Sequence, residues 1–423
     1  MQTGETMPTV CRKLLLLAAF LNLATGAARA QNEAATLPSG GDPALVCKQK
    51  PNGRAYWVEY GFCDLPVRGP ARAKGLVLWS HGVSGDNEQY KYPPAPVLRR
   101  FESAGWDVVK INRNNLYEHG WTSSGVRHRD DAIERARAAK ASGYKSVILA
   151  GQSYGGAISL EANAKAAGID GVMALSPGHG SDAGSGATGY GDRYRNLNRY
   201  LLEALTAQKG GRVVVLVAPD DRLHPDRSVG SGFGAKMRAA LASSGRPFVV
   251  FDESGPIHGH GAGETKQFSA WFGTCLVNFL DPAQPVAPGE TVCKPPSPLP
   301  RFMLPADLKH PAPGAQGASR WLGSWEGNYS NGGTYRRDLM LVVEVVTGDT
   351  ATVVYSPGAG PGKDLSMGYD RYTKGRLSGN SIVIDRGGNR TITLVLSADG
   401  RSLAFSHKTG SQPALTGTLS RAE

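Results

Sequence analysis

Residues 146–162 constrain this chain more than any other stretch, because they read as strand, tight turn and helix around a single serine. Ser146-Val147-Ile148-Leu149-Ala150 is an apolar run of strand length. Gly151-Gln152-Ser153-Tyr154-Gly155 follows, and Gly156-Ala157-Ile158-Ser159-Leu160-Glu161-Ala162 has helical character. A serine on so sharp a turn takes strained backbone angles, and a Cβ two residues to either side would clash, so glycines at 151 and 155 are what such a turn requires. The turn lifts the Ser153 hydroxyl clear of a sheet and sets it at a helix N-terminus, where backbone N–H groups favour developing negative charge. Glycine is abundant here, at 55 of 423 residues, so the pentapeptide alone is weak; its context between strand and helix gives it weight.

The surrounding sequence repeats that alternation from about residue 45 to 280. Strand-like runs are Arg54–Cys63, Gly75–Ser80, Asp107–Ile111, Gly171–Leu175, Gly211–Val217 and Pro247–Phe251. Helix-like runs are Pro96–Gly105, Val126–Ser142 with a Gly143 stop, Tyr194–Lys209, Gly234–Ser244 and Glu264–Leu280. Short, continuously apolar strands separated by helices predict an α/β architecture with a mostly parallel, doubly wound sheet covered on both faces.

Residues 281–318 carry repeated prolines and little periodicity, which reads as an extended linker and a domain boundary. Beyond it the pattern changes. Eight β-like runs (Trp325–Ser330, Leu339–Val346, Thr350–Tyr355, Tyr369–Leu377, Ser381–Ile384, Thr391–Leu396, Ser402–His407 and Ala414–Leu419) are joined by turn signals such as Gly348-Asp349 and Gly387-Gly388-Asn389. They predict a small antiparallel barrel or sandwich over 319–423. Trp321-Leu322-Gly323-Ser324-Trp325-Glu326-Gly327 resembles the opening strand of lipocalin-like barrels. Such a domain serves either as a binding or targeting module or as a structural cap.

At the N-terminus, Arg12-Lys13 precedes the apolar run Leu14–Leu21, and small residues lead to Ala28-Arg29-Ala30. This is the pattern of a secretory signal peptide over residues 1–30, so export to the periplasm or medium of a bacterium is expected. No other stretch approaches the length and apolarity of a membrane span, so a soluble mature chain without stable membrane insertion is expected. Four cysteines follow the signal, and an even count in an exported chain favours disulfides; Cys47–Cys63 and Cys275–Cys293 close the shortest loops. The formal charge of +11 invites a nucleic-acid reading, but basic and acidic residues are interspersed and no nucleic-acid motif is present, so no nucleic-acid partner is expected. Nothing in the sequence sets an oligomeric state.

A serine hydroxyl needs a base, and the base needs orientation, before it is nucleophilic at neutral pH. Acidic candidates stand after a strand in Val217-Ala218-Pro219-Asp220-Asp221-Arg222, where a carboxylate would share the sheet edge with Ser153. Two histidines follow the next strand in Ser254-Gly255-Pro256-Ile257-His258-Gly259-His260-Gly261. His260, between glycines and nearer the final helix, is favoured, with His258 the alternative. An H-x-H pair can also hold zinc, but no third ligand at metal-site spacing accompanies it; neither metal nor cofactor is expected. The glycine-rich stretch Gly178–Gly189 reads as a flap over the site or as a loop without a role.

In order, His81-Gly82, Gly151–Gly155, Asp221 and His260 resemble the α/β-hydrolase superfamily over about 235 residues. Within it the chain looks most like the dienelactone-hydrolase-type and esterase-like members of bacteria, which makes 31–280 a catalytic domain. One departure is that serine stands at 153, where dienelactone hydrolases carry cysteine, which argues against their lactone substrate. The segment Asp221–Pro225 resembles the family's D-x-x-x-P loop and selects Asp221 as the acid, with Asp220 as the alternative. The resemblance implies a serine hydrolase acting through an acyl-enzyme on a small-molecule or polymer substrate that is a carboxylic ester or related acyl compound. Ser153 would attack, His260 would carry the proton, and Asp221 would orient the ring. The N–H groups of Tyr154 and Val83 would form the oxyanion hole, with His81 bracing that loop. A peptidase with the same triad and a non-catalytic, envelope-binding protein on the same fold are the alternatives.

Overall fold

The computed structural model describes residues 59–61, 65–82, 93–111, 126–178, 199–219, 221, 232–332, 336–358 and 367–422. The expected signal peptide, Cys47, Cys63, Val83, Asp220 and residues 179–189 lie outside the described residues.

Seven strands form one sheet: β1 (Glu59–Gly61), β2 (Leu76–Ser80), β3 (Asp107–Ile111), β4 (Val147–Gln152), β5 (Gly171–Leu175), β6 (Arg212–Leu216) and β7 (Phe248–Phe251), in the spatial order β1-β3-β2-β4-β5-β6-β7. Strands β2 to β7 are parallel, and the short β1 joins β3 antiparallel. Helices α1 (Pro96–Ser103), α2 (Val126–Ala141), α3 (Tyr154–Lys165), α4 (Phe233–Ser244) and α5 (Lys266–Leu280) alternate with these strands. Every residue of β2, β3, β4 and β5 is buried, and their side chains alternate between two cores. Ile148 and Ala150 join Val97, Phe101, Phe268 and Phe272 under α1 and α5, while Val147 and Leu149 join Ile133, Ala136 and Ile158 under α2 and α3. Alternation of faces along one strand is the physical reason the apolar runs are continuous. The α/β class expected from the sequence is the one the chain adopts.

The chain leaves β2 toward β3 by way of α1 on one face, and leaves β4 toward β5 by way of α3 on the other. Neighbouring strands whose outgoing connections part in opposite directions open a crevice at their carboxyl ends. The loop after β2 begins at His81-Gly82, and the turn after β4 holds Ser153. Sheet topology therefore puts the most constrained segment of the sequence in the crevice.

Eight antiparallel strands close into a barrel: β8 (Gly323–Ser330), β9 (Arg336–Thr347), β10 (Thr350–Pro357), β11 (Asp370–Ser378), β12 (Ser381–Asp385), β13 (Arg390–Leu396), β14 (Ser402–Thr409) and β15 (Leu415–Arg421). Pairing follows chain order, and β15 returns to β8 with Arg421 opposite Trp325 and Thr416 opposite Ser330. Two glycines make that seam possible: a Cβ on Gly417 would lie 2.1 Å from the Asn328 carbonyl, and one on Gly327 would lie 2.3 Å from that of Thr418. The interior is filled by alternate side chains, among them Trp325, Tyr329, Leu341, Ile392, Leu394 and Phe405. Trp325 donates its indole N–H to Trp321 O at 3.0 Å, and the Arg421 guanidinium lies over its ring at 4.1 Å.

The proline-rich segment between α5 and the barrel is tied down along its length. Cys293 is disulfide-bonded to Cys275 of α5. Phe248 N donates to Gly289 O at 2.9 Å and Thr291 N to Phe248 O at 2.7 Å, so Glu290 continues the sheet beside β7. Arg212 donates to the carbonyls of Phe279 (2.6 Å), Asp281 (2.7 Å) and Gln284, holding the C-terminal end of α5. At the other end of that helix, Gln267 Oε1 accepts from the buried Met367 N–H at 2.8 Å, and Lys266 reaches Tyr369 O and Asp370. Helix α5 therefore contacts both the linker and the barrel.

One helix carries a destabilising acid. Asp131 of α2 has a buried carboxylate oxygen with no hydrogen-bond partner among the described residues. Burial, reinforced by Glu134, pushes its pKa up to about 7. A carboxyl raised in the folded state binds its proton there more tightly than in the unfolded chain, so it lowers stability as pH rises from about 4 to about 7. Asp131→Asn is expected to be more stable than wild type above pH 7, with the gap closing below pH 4. Thermal melts of both proteins across pH 4–8 check this; parallel curves would refute it.

Candidate active site

Ser153 has φ 52° and ψ −119°, between the last residue of β4 and the first of α3. This left-handed geometry costs a non-glycine residue on the order of 1–3 kcal/mol and is held by what surrounds it. Ser153 N donates to Leu175 O at 2.9 Å, and Ser153 O accepts from both Ala157 N (3.0 Å) and Gly178 N (2.9 Å). The flanking glycines are steric necessities. A Cβ on Gly155 would lie 1.9 Å from Ser80 O, and one on Gly151 would lie 2.3 Å from the Gly155 carbonyl carbon. Both obstacles are backbone, so no side-chain rearrangement relieves them.

Tyr154 is the first residue of α3, so its backbone N–H stands at the positive end of the helix dipole beside the Ser153 hydroxyl. Its side chain is fully buried, with the hydroxyl 3.0 Å from His128 Nδ1 and the two rings edge to face at 5.7 Å. Gly82 follows β2 so closely that a Cβ there would meet Gln152 Oε1 at 2.5 Å and Ser153 Cβ at 3.2 Å. The loop expected to supply the second N–H thus begins against the serine, while Val83 itself lies outside the described residues.

Of the two histidines, His260 is the one on Asp221. Its Nδ1 lies 2.9 Å from Asp221 Oδ1 and 2.9 Å from Oδ2, and the Asp221 side chain is almost completely buried. An ionised carboxylate only accepts, so Nδ1 must carry the proton. In the neutral ring the lone pair then sits on Nε2, which is buried and has no hydrogen-bond partner among the described residues. Serine and ring both border Gly178: a Cβ placed there would be 3.6 Å from Ser153 Oγ and 4.0 Å from His260 Cε1. Two further bonds hold the loops in register. Gly259 N donates to Pro219 O at 2.8 Å, joining the histidine loop to the aspartate loop, and Gln152 Nε2 donates to His260 O at 3.1 Å. Among the described residues no group of three or more His, Cys, Asp or Glu side chains is placed to hold a metal ion.

Sequence reasoning overlooked three residues here. Gln152 reads as a filler in the pentapeptide, yet it links the serine turn to the histidine segment. Lys110, near the carboxyl end of β3 and opposite Trp79, is almost fully buried, and burial lowers its ammonium to about 8. A lysine interrupting the apolar run Asp107-Val108-Val109-Lys110-Ile111 was the available signal. Gly178, at the start of the glycine-rich stretch read above as a flap or a loop without a role, bonds to Ser153 O and stands where a Cβ would meet both Ser153 Oγ and the His260 ring, which composition alone does not reveal.

No family model matches this chain, and no curated protein matches it. Solved structures do. A truncated carbohydrate esterase from gut microbiota is similar over 52% of this chain and 88% of its own, at 13% identity and a TM-score of 0.38. An esterase of Pyrococcus furiosus covers 58% of this chain and 95% of its own, at 16% identity and 0.37. A monoacylglycerol lipase of Paleococcus ferrophilus covers 53% and 98%, at 17% identity and 0.36. These likenesses reach about half of the chain, and at such TM-scores they carry no argument about what it does; the sheet, turn and barrel described above stand on the chain's own geometry.

Two outcomes test the site without reference to any substrate. Gly155→Ala should fail to accumulate as folded protein, because a methyl 1.9 Å from a backbone oxygen exceeds what a core absorbs, a loss above about 4 kcal/mol; expression with a normal melting curve would refute the close packing. In proton NMR, a deshielded ring N–H of His260 should vanish in Asp221→Ala and persist in His258→Ala. The reverse pattern would reassign the histidine.

Proposed function

We propose that the protein is a serine hydrolase cleaving carboxylic esters, with Ser153 as nucleophile, His260 as general base and acid, and Asp221 as the group that orients and stabilises the imidazolium. The observation that carries this reading is a histidine whose Nδ1 is fixed on Asp221 and whose buried Nε2 has no hydrogen-bond partner among the described residues, bordering Gly178 together with a serine held on a strained turn at a helix N-terminus.

The chemistry follows from those positions. Ser153 Oγ bonds to the acyl carbon as its proton passes to His260 Nε2, and the carbonyl oxygen becomes an oxyanion near the Tyr154 N–H. When the tetrahedral species collapses, the ester C–O bond breaks and the leaving oxygen takes the proton from Nε2, leaving an acyl-serine. Water, deprotonated by the same nitrogen, attacks the acyl carbon; the bond from that carbon to Ser153 Oγ then breaks, Oγ takes the proton back from Nε2, and the acid is released. The Nδ1–Asp221 contact holds the neutral ring in the one tautomer that can accept at Nε2. The reading includes an exported protein, supported by the signal-like N-terminus and by the Cys275–Cys293 bridge.

Treatment of the purified protein with an alkyl fluorophosphonate, followed by peptide mapping, is expected to modify Ser153. Ser153→Ala should abolish labelling, and His260→Ala should reduce its rate by about 10⁴-fold or more. A folded wild-type protein that does not label would sink the mechanism and favour a binding role for the same fold. Labelled protein that cleaves amide but not ester probes would make it a peptidase.

A further inference from the structure

Two serines near the sheet's carboxyl edge hold left-handed backbone, Ser153 with φ 52° and Ser176 with φ 45°. The first is accounted for by the turn it heads. The second is not accounted for by its own side chain: Ser176 is buried, and its hydroxyl has no hydrogen-bond partner among the described residues. Strain without a local return directs attention to what the turn positions next.

The three residues after β5 are pinned on three sides. Ser176 N donates to Leu216 O at 2.8 Å, tying the turn to β6. Pro177 lies against α3, where a Cβ on Gly156 would be 3.2 Å from its Cα. Gly178 N donates to the carbonyl of Ser153 itself at 2.9 Å. The strained turn thereby delivers a residue without a side chain to the side of the serine and histidine. A Cβ there would stand 3.6 Å from Ser153 Oγ and 4.0 Å from His260 Cε1. Gly178 is not needed for its backbone freedom, since its φ lies outside the left-handed region, and the space a methyl would take is at ordinary contact distance rather than occupied. Among the described residues, the absent side chain therefore leaves room for a methyl-sized group between Ser153 Oγ and the edge of the His260 ring.

That volume belongs to one part of the substrate. A leaving oxygen must come within hydrogen-bond reach of His260 Nε2 to receive its proton. The carbon bearing that oxygen then lies alongside the ring edge formed by Nε2 and Cε1. The acyl oxygen, in contrast, is drawn toward the N-terminus of α3. Resting on the serine-hydrolase reading above, we propose that Gly178 is a specificity-determining residue that opens the leaving-group side of the site, so that the enzyme takes esters of branched, secondary alcohols as readily as those of primary ones.

The test compares ethyl butyrate with isopropyl butyrate, and ethyl acetate with ethyl butyrate, on wild type, Gly178→Ala and Gly178→Val. Fluorophosphonate labelling of wild type and melting curves of all three proteins accompany it. Wild type is expected to turn over both butyrates with kcat/KM values within about tenfold of each other. The isopropyl-to-ethyl ratio should then fall on the order of 10- to 200-fold in Gly178→Ala and further in Gly178→Val. The acetate-to-butyrate ratio should stay constant across the series. Wild type that labels at Ser153 yet turns over neither butyrate, or prefers the ethyl ester by more than tenfold, overturns the proposal and leaves the serine mechanism standing. So does an alanine variant whose alcohol preference is unchanged or whose acyl preference moves instead. The wild-type comparison decides the matter even if a variant fails to fold. Wild type that does not label sinks the mechanism and this inference together.

Discussion

The close approach of three backbones beneath Ser153 is the constraint on which the rest of the site depends. The carbonyl of Ser80 at the end of β2 occupies the space where a side chain on residue 155 would begin, and residue 151 presses on residue 155 across the turn. Only glycine at both places lets β4 pass so abruptly into α3 while remaining paired to β2. The same proximity carries the loop after β2 to the serine, since Gly82 rests against Gln152 and Ser153. Strand pairing, the strained serine and the start of that loop are thus one packing arrangement, and the local strain is offset by the hydrogen bond that Ser153 N donates to Leu175 O, by those Ser153 O accepts from Ala157 N and Gly178 N, and by the buried β-sheet around them.

Long-range ties then bring distant parts of the chain to that turn. Asp221 and His260 arrive from the ends of β6 and β7, and the Gly259–Pro219 bond sets one loop against the other before any side chain is considered. Gln152 adds a direct bond from the residue before the serine to the carbonyl of the histidine. Paired in this way, a buried carboxylate keeps a hydrogen-bonded partner rather than standing as an uncompensated charge, and the histidine keeps one tautomer. Among the described residues, the space beside Gly178 is bordered by both the serine and the ring.

The barrel and the linker bear on the same region through α5. That helix begins just after the histidine segment, where its first turn contacts Met367, Tyr369 and Asp370 of the C-terminal part. Its last turns are held by Arg212 and by the bond from Cys275 to Cys293. A proline-rich stretch that composition describes as a tether is here packed against the sheet edge, extending β7 through Glu290. Backbone donors exposed at a sheet edge favour such coverage, whatever the side-chain pattern of the covering strand.

What the sequence determined by itself was local. Apolar runs of strand length, helical propensity and the Gly-x-Ser-x-Gly spacing were enough for the parallel α/β sheet and the turn at Ser153, because period and turn chemistry act over a few residues. Eight short runs with turn signals were enough for an antiparallel β-structure, and the strands lie within a few residues of those runs. Tertiary structure decided what depends on closure over long distances. That the eight strands form a barrel rather than a sandwich rests on β15 meeting β8 through Gly327 and Gly417, about ninety residues apart in sequence. That His260 rather than His258 lies on Asp221 depends on two loops separated by an entire helix and strand. Gly178 and Gln152 look unremarkable in one dimension, since their importance lies in which atoms the fold sets within a few ångströms of them.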